Sequence, residues 1–199
     1  MSLSSEPRYF IFAHGAGADS RSEFMTCMQD MINCQEIEVI TFDFPYMIKR
    51  QQTGKQSPPN RMPILIESFK EEINKLSANS RVFIGGKSMG GRVASMIADE
   101  VNAAGLICLG YPFHPTGKPE NLRTGHLETL TTRTLIVQGT RDTFGKPDEV
   151  ATYSLSNAIE TFWIEDGNHS LETLKRSQLT TLQSWQLAAE KIQQFILAE

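Results

Sequence analysis

The stretch Val82-Phe83-Ile84-Gly85-Gly86-Lys87-Ser88-Met89-Gly90 passes from an apolar run into a glycine-flanked turn. The residues that follow, Gly90 to Val101, carry Val93, Met96 and Ile97 at helical spacing. A strand that turns at once into a helix is the repeating unit of a parallel α/β sheet. Within the turn, Gly86-Lys87-Ser88-Met89-Gly90 has the form Gly-x-Ser-x-Gly. Glycines on both flanks permit a tight turn that lifts the serine hydroxyl clear of the sheet, the geometry called a nucleophile elbow. Gly86-Lys87-Ser88 would instead close a phosphate-binding loop only with a glycine six residues before Lys87. Position 81 is arginine, which speaks against a nucleoside triphosphatase.

Five further short apolar runs surround this one: Tyr9 to Ala13, Glu38 to Phe42, Leu106 to Leu109, Thr134 to Gln138 and Glu160 to Ile164. Runs so short and so apolar suit strands covered on both faces. Between them, Pro63 to Leu76 puts Ile66, Phe69, Ile73 and Leu76 on one helical face. The segment from about Thr180 does the same with Leu182, Trp185, Ala189, Ile192 and Ile196. The alternation predicts an α/β fold: a doubly wound, mostly parallel sheet of about six strands with helices on both faces, formed as a single domain over 1–199. In such sheets the functional site lies off the carboxyl ends of the strands. Two segments break the alternation. Residues 44–62 hold Lys49, Arg50, Lys55 and Arg61 with no acid, plus Pro45, Pro58 and Pro59, and are predicted as a basic loop near the site that could act as a lid. Residues 111–126, interrupted by Pro112, Pro115, Gly117, Pro119 and Gly125, are predicted as a second long loop.

With 199 residues, 40% of them hydrophobic and 21% charged, the chain can build a full core without staples. Its 19 Lys and Arg against 23 Asp and Glu give a net charge of −4, so neither nucleic acid nor anionic membrane is an expected partner. No apolar run approaches the roughly 18 residues of a membrane helix. The N-terminus lacks the charged, apolar and small-residue regions of a secretory signal, so a cytoplasmic protein is expected. Met1-Ser2-Leu3 has the form of an expression scar and is set aside. Cys27 and Cys34, seven apart in a stretch read as helical, are expected on one buried face as core thiols. The histidines at 14, 114, 126 and 169 are scattered, and no Cys or His spacing suits a metal; neither metal nor cofactor is expected.

A serine hydroxyl is a weak nucleophile at neutral pH and needs a histidine to take its proton and an acid to hold that histidine. His169 lies in Asp166-Gly167-Asn168-His169, a turn just after the last strand candidate, and is the candidate base. Asp142 follows the strand Thr134 to Gln138 in Gly139-Thr140-Arg141-Asp142 and is the candidate acid. Asp166 is the alternative, but three residues before the base it more readily makes the turn. A developing oxyanion needs two backbone N–H donors: the residue after the nucleophile, Met89, and one from His14-Gly15-Ala16-Gly17-Ala18 after the first strand, either Ala16 or Gly15. His14 is read as a residue that hydrogen-bonds the surrounding loops.

The order Ser88, Asp142, His169, together with HGAGA, GKSMGGR, GTRD and GNH, resembles the α/β-hydrolase superfamily. FPY at 44–46, Arg61, YPFHPTGKPENLR from 111 and QGTRDTFG from 138 are similar to its dienelactone-hydrolase-like branch with the Tex/KANL-type hydrolase-like proteins, over most of the chain from Arg8 on. The resemblance implies a serine-hydrolase fold without a large cap. Dienelactone hydrolases themselves use a cysteine nucleophile, so Ser88 argues against that named activity, and Thr143 stands where the branch usually has proline. The expected function is a serine hydrolase acting on a small-molecule carboxylic ester or thioester; amide cleavage would use the same residues. Lys87, Arg92 and the basic loop would favour an acyl group that carries an anion, set against plain solvated surface charge. The alternative, since some relatives act as complex subunits, is a non-catalytic binding or scaffold module that keeps the fold and uses the two long loops.

Overall fold

The six apolar runs form β1 (Arg8–Ala13), β2 (Ile37–Phe42), β3 (Arg81–Lys87), β4 (Gly105–Leu109), β5 (Thr134–Gly139) and β6 (Ile159–Ile164) of one sheet. The structure is a computed structural model and describes residues 8–198, so Met1-Ser2-Leu3 lies outside the described residues. Strand order is β2-β1-β3-β4-β5-β6, and every neighbouring pair is parallel. The register sets Ala13 opposite Gly86 and Lys87 opposite Leu109, so the carboxyl ends of β1, β3 and β4 finish side by side. The chain winds outward from β1 in both directions, to β2 on one side and through β3 on the other. That switch of direction opens a crevice at the ends of β1 and β3, under Ser88.

Burial on both faces explains why the strands carry few polar residues. One face is covered by α1 (Glu23–Ile32) and α6 (Thr181–Leu197), whose Met25, Met28, Ile32, Trp185, Ile192 and Ile196 pack on Phe10, Phe12, Phe83 and Leu135. The other face is covered by α2 (Pro45–Thr53), α3 (Met62–Asn74) and α4 (Met89–Ser95), with Phe44, Met47, Phe69 and Val93 against Ile11, Ile84 and Leu106. A short helix, α5 (Pro147–Val150), follows β5. The start of α6 is fixed by a capping box in which the Thr180 hydroxyl and the Gln183 side chain satisfy each other's backbone N–H.

Two expectations are corrected here. The basic segment 44–62 is not one loop, because Pro45–Thr53 is the helix α2 and only the stretch up to Arg61 is irregular. Pro45 at the first turn and Gly54 in the left-handed conformation (φ 65°) are the start and stop signals that make it a helix. The cysteines do not share a buried face: α1 ends at Ile32, Asn33 turns to accept a hydrogen bond from Val39 N–H, and Cys34 emerges exposed in a bridge to Ile37. Cys27 is half-buried, and the buried thiol is Cys108 of β4, which burial pushes well above the usual thiol range. Residues 111–124 run as irregular chain into a single 3-10 turn at Gly125–Leu127, tied down by buried Tyr111, Phe113, His114 and Thr124.

Candidate active site

Ser88 lies between the last residue of β3 and the first of α4 with φ 50° and ψ −111°, a conformation costly for a residue with a Cβ. The surroundings enforce it. Ser88 N–H donates to the Leu109 carbonyl at 2.9 Å, and the Ser88 carbonyl accepts Arg92 N–H at 3.0 Å. A Cβ on Gly86 or Gly90 would stand 2.6 or 2.5 Å from the Ala13 carbonyl oxygen, so the elbow presses α4 onto β1 only because both are glycine.

The structure brings Ser88, His169 and Asp142 together. Ser88 Oγ is 2.8 Å from His169 Nε2, and His169 Nδ1 is 2.8 Å from Asp142 Oδ2. Asp142 has no solvent exposure; its Oδ1 accepts Phe144 N–H at 2.9 Å and its Oδ2 also accepts Gln138 Nε2 at 2.9 Å. A carboxylate with its lone pairs so occupied is held as an acceptor, and Nδ1–H of the imidazole is its donor. Burial lowers the His169 pKa, assisted by the Lys87 charge and opposed by the hydrogen bond and charge of Asp142. The imidazole is therefore neutral near pH 7, leaving Nε2 as an acceptor for the serine proton. The Phe144 ring packs 4.3 Å from the His169 ring and limits its rotation.

Sequence reading missed Gln138, and it gave Lys87 another part, that of a cation favouring an anionic acyl group or of plain solvated surface charge. Gln138, fully buried at the end of β5, accepts Tyr111 N–H at 2.7 Å and bonds Asp142, fastening the 111 segment to the acid. A glutamine in an otherwise apolar strand four residues before Asp142 was its signal. Lys87 is only 8% exposed; its Nζ donates to the His169 carbonyl at 2.5 Å and stands 5.6 Å over the Phe24 ring. Burial pushes its pKa down to about 8, against the raising charges of Asp142 and Glu172. Asp166 does not reach the histidine: it takes a positive φ (57°) in the turn and accepts Ser177 Oγ at 2.8 Å.

The HGAGA loop forms the other wall. His14 is buried, donates from Nδ1 to the Gly15 carbonyl at 2.6 Å and accepts Phe44 N–H at Nε2, 3.1 Å away, so it ties the ends of β1 and β2. The Tyr46 hydroxyl of α2 lies 3.2 and 3.1 Å from the Gly15 and Ala16 carbonyls. Ala16 lines an open cavity of about 310 Å³ together with Ser88, His169, Lys87 and, from α1, Phe24 and Met25. Met89 opens α4, so its N–H is one of the donors that a helix start leaves without an intrahelical partner. Thr143 needs no proline at its place: Asp142 N–H bonds the Gly139 carbonyl at 3.0 Å and closes the turn.

An all-parallel sheet whose switch point lies beneath a Gly-x-Ser-x-Gly elbow defines the class, an α/β-hydrolase fold. The chain belongs to the alpha/beta hydrolase domain family, whose profile matches residues 6–197. An α/β serine hydrolase without lid from Xanthomonas campestris superposes with a TM-score of 0.71 at 14% identity, covering 100% of this chain and 86% of that one. Est1E from Butyrivibrio proteoclasticus, with ferulic acid bound, gives 0.68 at 16% identity over 97% of this chain and 89% of that one. A dienelactone hydrolase from Anabaena variabilis gives 0.67 at 17% identity over 94% and 86%. At these identities the likeness establishes the shared fold. Among the described residues, no helix is long and apolar enough to cross a membrane.

Proposed function

We propose that the protein is a serine hydrolase that cleaves a carboxylic ester or thioester through an acyl-enzyme intermediate. The reading rests above all on the unbroken relay from Ser88 Oγ through His169 to Asp142, two contacts of 2.8 Å each. Ser88 Oγ attacks the acyl carbon while His169 Nε2 takes its proton. The carbonyl electron pair moves onto oxygen, where the N–H groups of Met89 and Ala16 stabilise it. Collapse expels the alcohol or thiol, protonated by His169, and a water repeats the two steps in reverse to release the acid and restore Ser88. Asp142 keeps the imidazole in the required tautomer and offsets its charge when protonated. The residues imply no cofactor. A cavity of about 310 Å³ with Phe24 and Met25 in its lining suits a small apolar acyl group. The esterases among its structural neighbours agree with this chemistry.

Turnover of aryl esters and acyl thioesters of graded acyl length tests the reading. The expected result is hydrolysis that favours short to medium chains and falls at least ~10³-fold in Ser88→Ala. A Ser88→Ala protein as fast as the native one would overturn it.

A further inference from the structure

Three side chains are left without a part in this chemistry: Arg92 beyond the elbow glycines, and Arg123 and His126 of the 111–126 segment. The fold joins them on the α4 side of the sheet. Ser95 Oγ donates to the Arg92 carbonyl at 2.7 Å and meets His126 Nε2 at 2.8 Å. The Tyr111 hydroxyl lies 3.4 Å from the same nitrogen and donates to the Arg123 carbonyl at 3.1 Å. Both hydroxyl protons are thus committed to carbonyls, so His126 Nε2 carries the hydrogen that the two oxygens receive. The network fixes the backbones of both arginines but leaves their heads unused. Among the described residues neither guanidinium has a hydrogen bond or a carboxylate within ion-pair distance, and Arg92 Nε is buried without a partner. Both arginines and His126 are half-buried. Burial first, and then the Arg92 charge, lowers the proton affinity of both Arg123 and His126, so these groups feel each other directly.

Half-buried cations of like sign with no acid beside them raise the free energy of the fold, and an anion between them removes that cost. We infer that Arg92 and Arg123, braced by Ser95, Tyr111 and His126, form a binding site for a phosphate group. Two permanently charged guanidinium forks match a dianion in charge and match its oxygens in bidentate geometry, whereas a carboxylate would leave one charge uncompensated. Arg92 N–H bonds the Ser88 carbonyl, so the site stands one helical turn from the elbow yet on groups that the hydrolytic relay does not use.

Calorimetric titration with inorganic phosphate and with phenyl phosphate, at ionic strength held constant with chloride, tests this. It reads binding and is therefore independent of whether Ser88 turns over any ester. The native protein is expected to bind one phosphate saturably, with Kd weakened about tenfold or more in Arg92→Gln and in Arg123→Gln, the loss of one charge-assisted pair. Arg123→Lys, which keeps the charge and loses the fork, is expected in between. Arg21→Gln, removing an arginine whose side chain is 71% exposed, is expected to bind as the native protein does. Phenyl phosphate bound as tightly as phosphate would mark the ligand as a phosphate monoester, and its exclusion would mark free phosphate; either supports the site. Absence of saturable binding, acetate bound as tightly as phosphate, or unchanged affinity in folded Arg92→Gln and Arg123→Gln would overturn it.

Discussion

Ser88 holds a backbone conformation that costs on the order of 1–3 kcal/mol, and the hydrogen bond from its N–H to Leu109 is part of what sustains it. The site concentrates such local costs: a buried carboxylate (Asp142), a desolvated ammonium (Lys87) and an uncharged half-buried imidazole (His169) gathered at the strand ends. Asp142→Asn should keep the geometry but present the wrong tautomer of His169, so reaction of Ser88 with an acylating probe is expected to slow by about 10³- to 10⁴-fold with the fold intact. Only neutral His169 can accept the serine proton. Because its pKa lies below the ordinary 6.5, the probe rate is expected to rise with pH through a midpoint under 6.5 and then level off. Lys87→Met removes a charge that lowers that pKa, so the midpoint should move upward; an unmoved midpoint in a folded variant would mean that Lys87 acts on His169 through packing alone. Ser88, Asp142 and His169 were legible because each follows a strand in a turn. Lys87 and Gln138 were not, since the atoms they hold, the carbonyl of His169 and the carboxylate of Asp142, come near only in the folded chain.

At the scale of elements, α2 shows what a charge count conceals. Its lysine and arginine suggest a solvated loop, yet Phe44, Tyr46 and Met47 are buried and Tyr46 reaches the carbonyls of Gly15 and Ala16. The signal was in the sequence, Pro45 at the helix start and Gly54 just past its end, but the segment is too polar for periodicity to reveal it. Tyr46→Phe should cost about 1 kcal/mol in urea unfolding and loosen the loop that carries Ala16, slowing the probe reaction more than that modest destabilisation suggests. The contact between α4 and β1 leaves less room. Gly90→Ala would drive a methyl group to 2.5 Å from the Ala13 carbonyl and 2.7 Å from that of His14, with an expected loss of ~1–3 kcal/mol and of probe reactivity together. Normal reactivity in Gly90→Ala would show that the elbow tolerates a shift of α4. Cys34 was misread for a related reason: the Asn33 side chain ends α1 by bonding Val39, a tertiary event invisible to helical spacing.

Across the whole molecule, the strands were the most legible elements because burial on both faces strips them of polar residues and leaves short, nearly unbroken apolar runs. The arrangement also has a consequence for acid stability. His14, His126 and His169 all have their proton affinity lowered, each by burial first. Their stabilising contribution is complete above the unfolded value of 6.5 and is lost as pH falls toward and through the lowered folded values, because the unfolded chain then binds protons that the fold refuses. Melting temperature is therefore expected to drop as pH falls below 6.5, with an uptake of up to three protons on unfolding that calorimetry in buffers of different ionisation enthalpy can count. The most direct measurement of the central claim is intact-mass detection of fluorophosphonate labelling on the native protein and on Ser88→Ala, His169→Ala and Asp142→Asn. The expected result is a single adduct on the native chain, none on Ser88→Ala and slow labelling of the other two. Folded native protein that takes up no adduct, or a Ser88→Ala protein that labels at the native rate, would contradict an activated serine and leave the fold as a binding module.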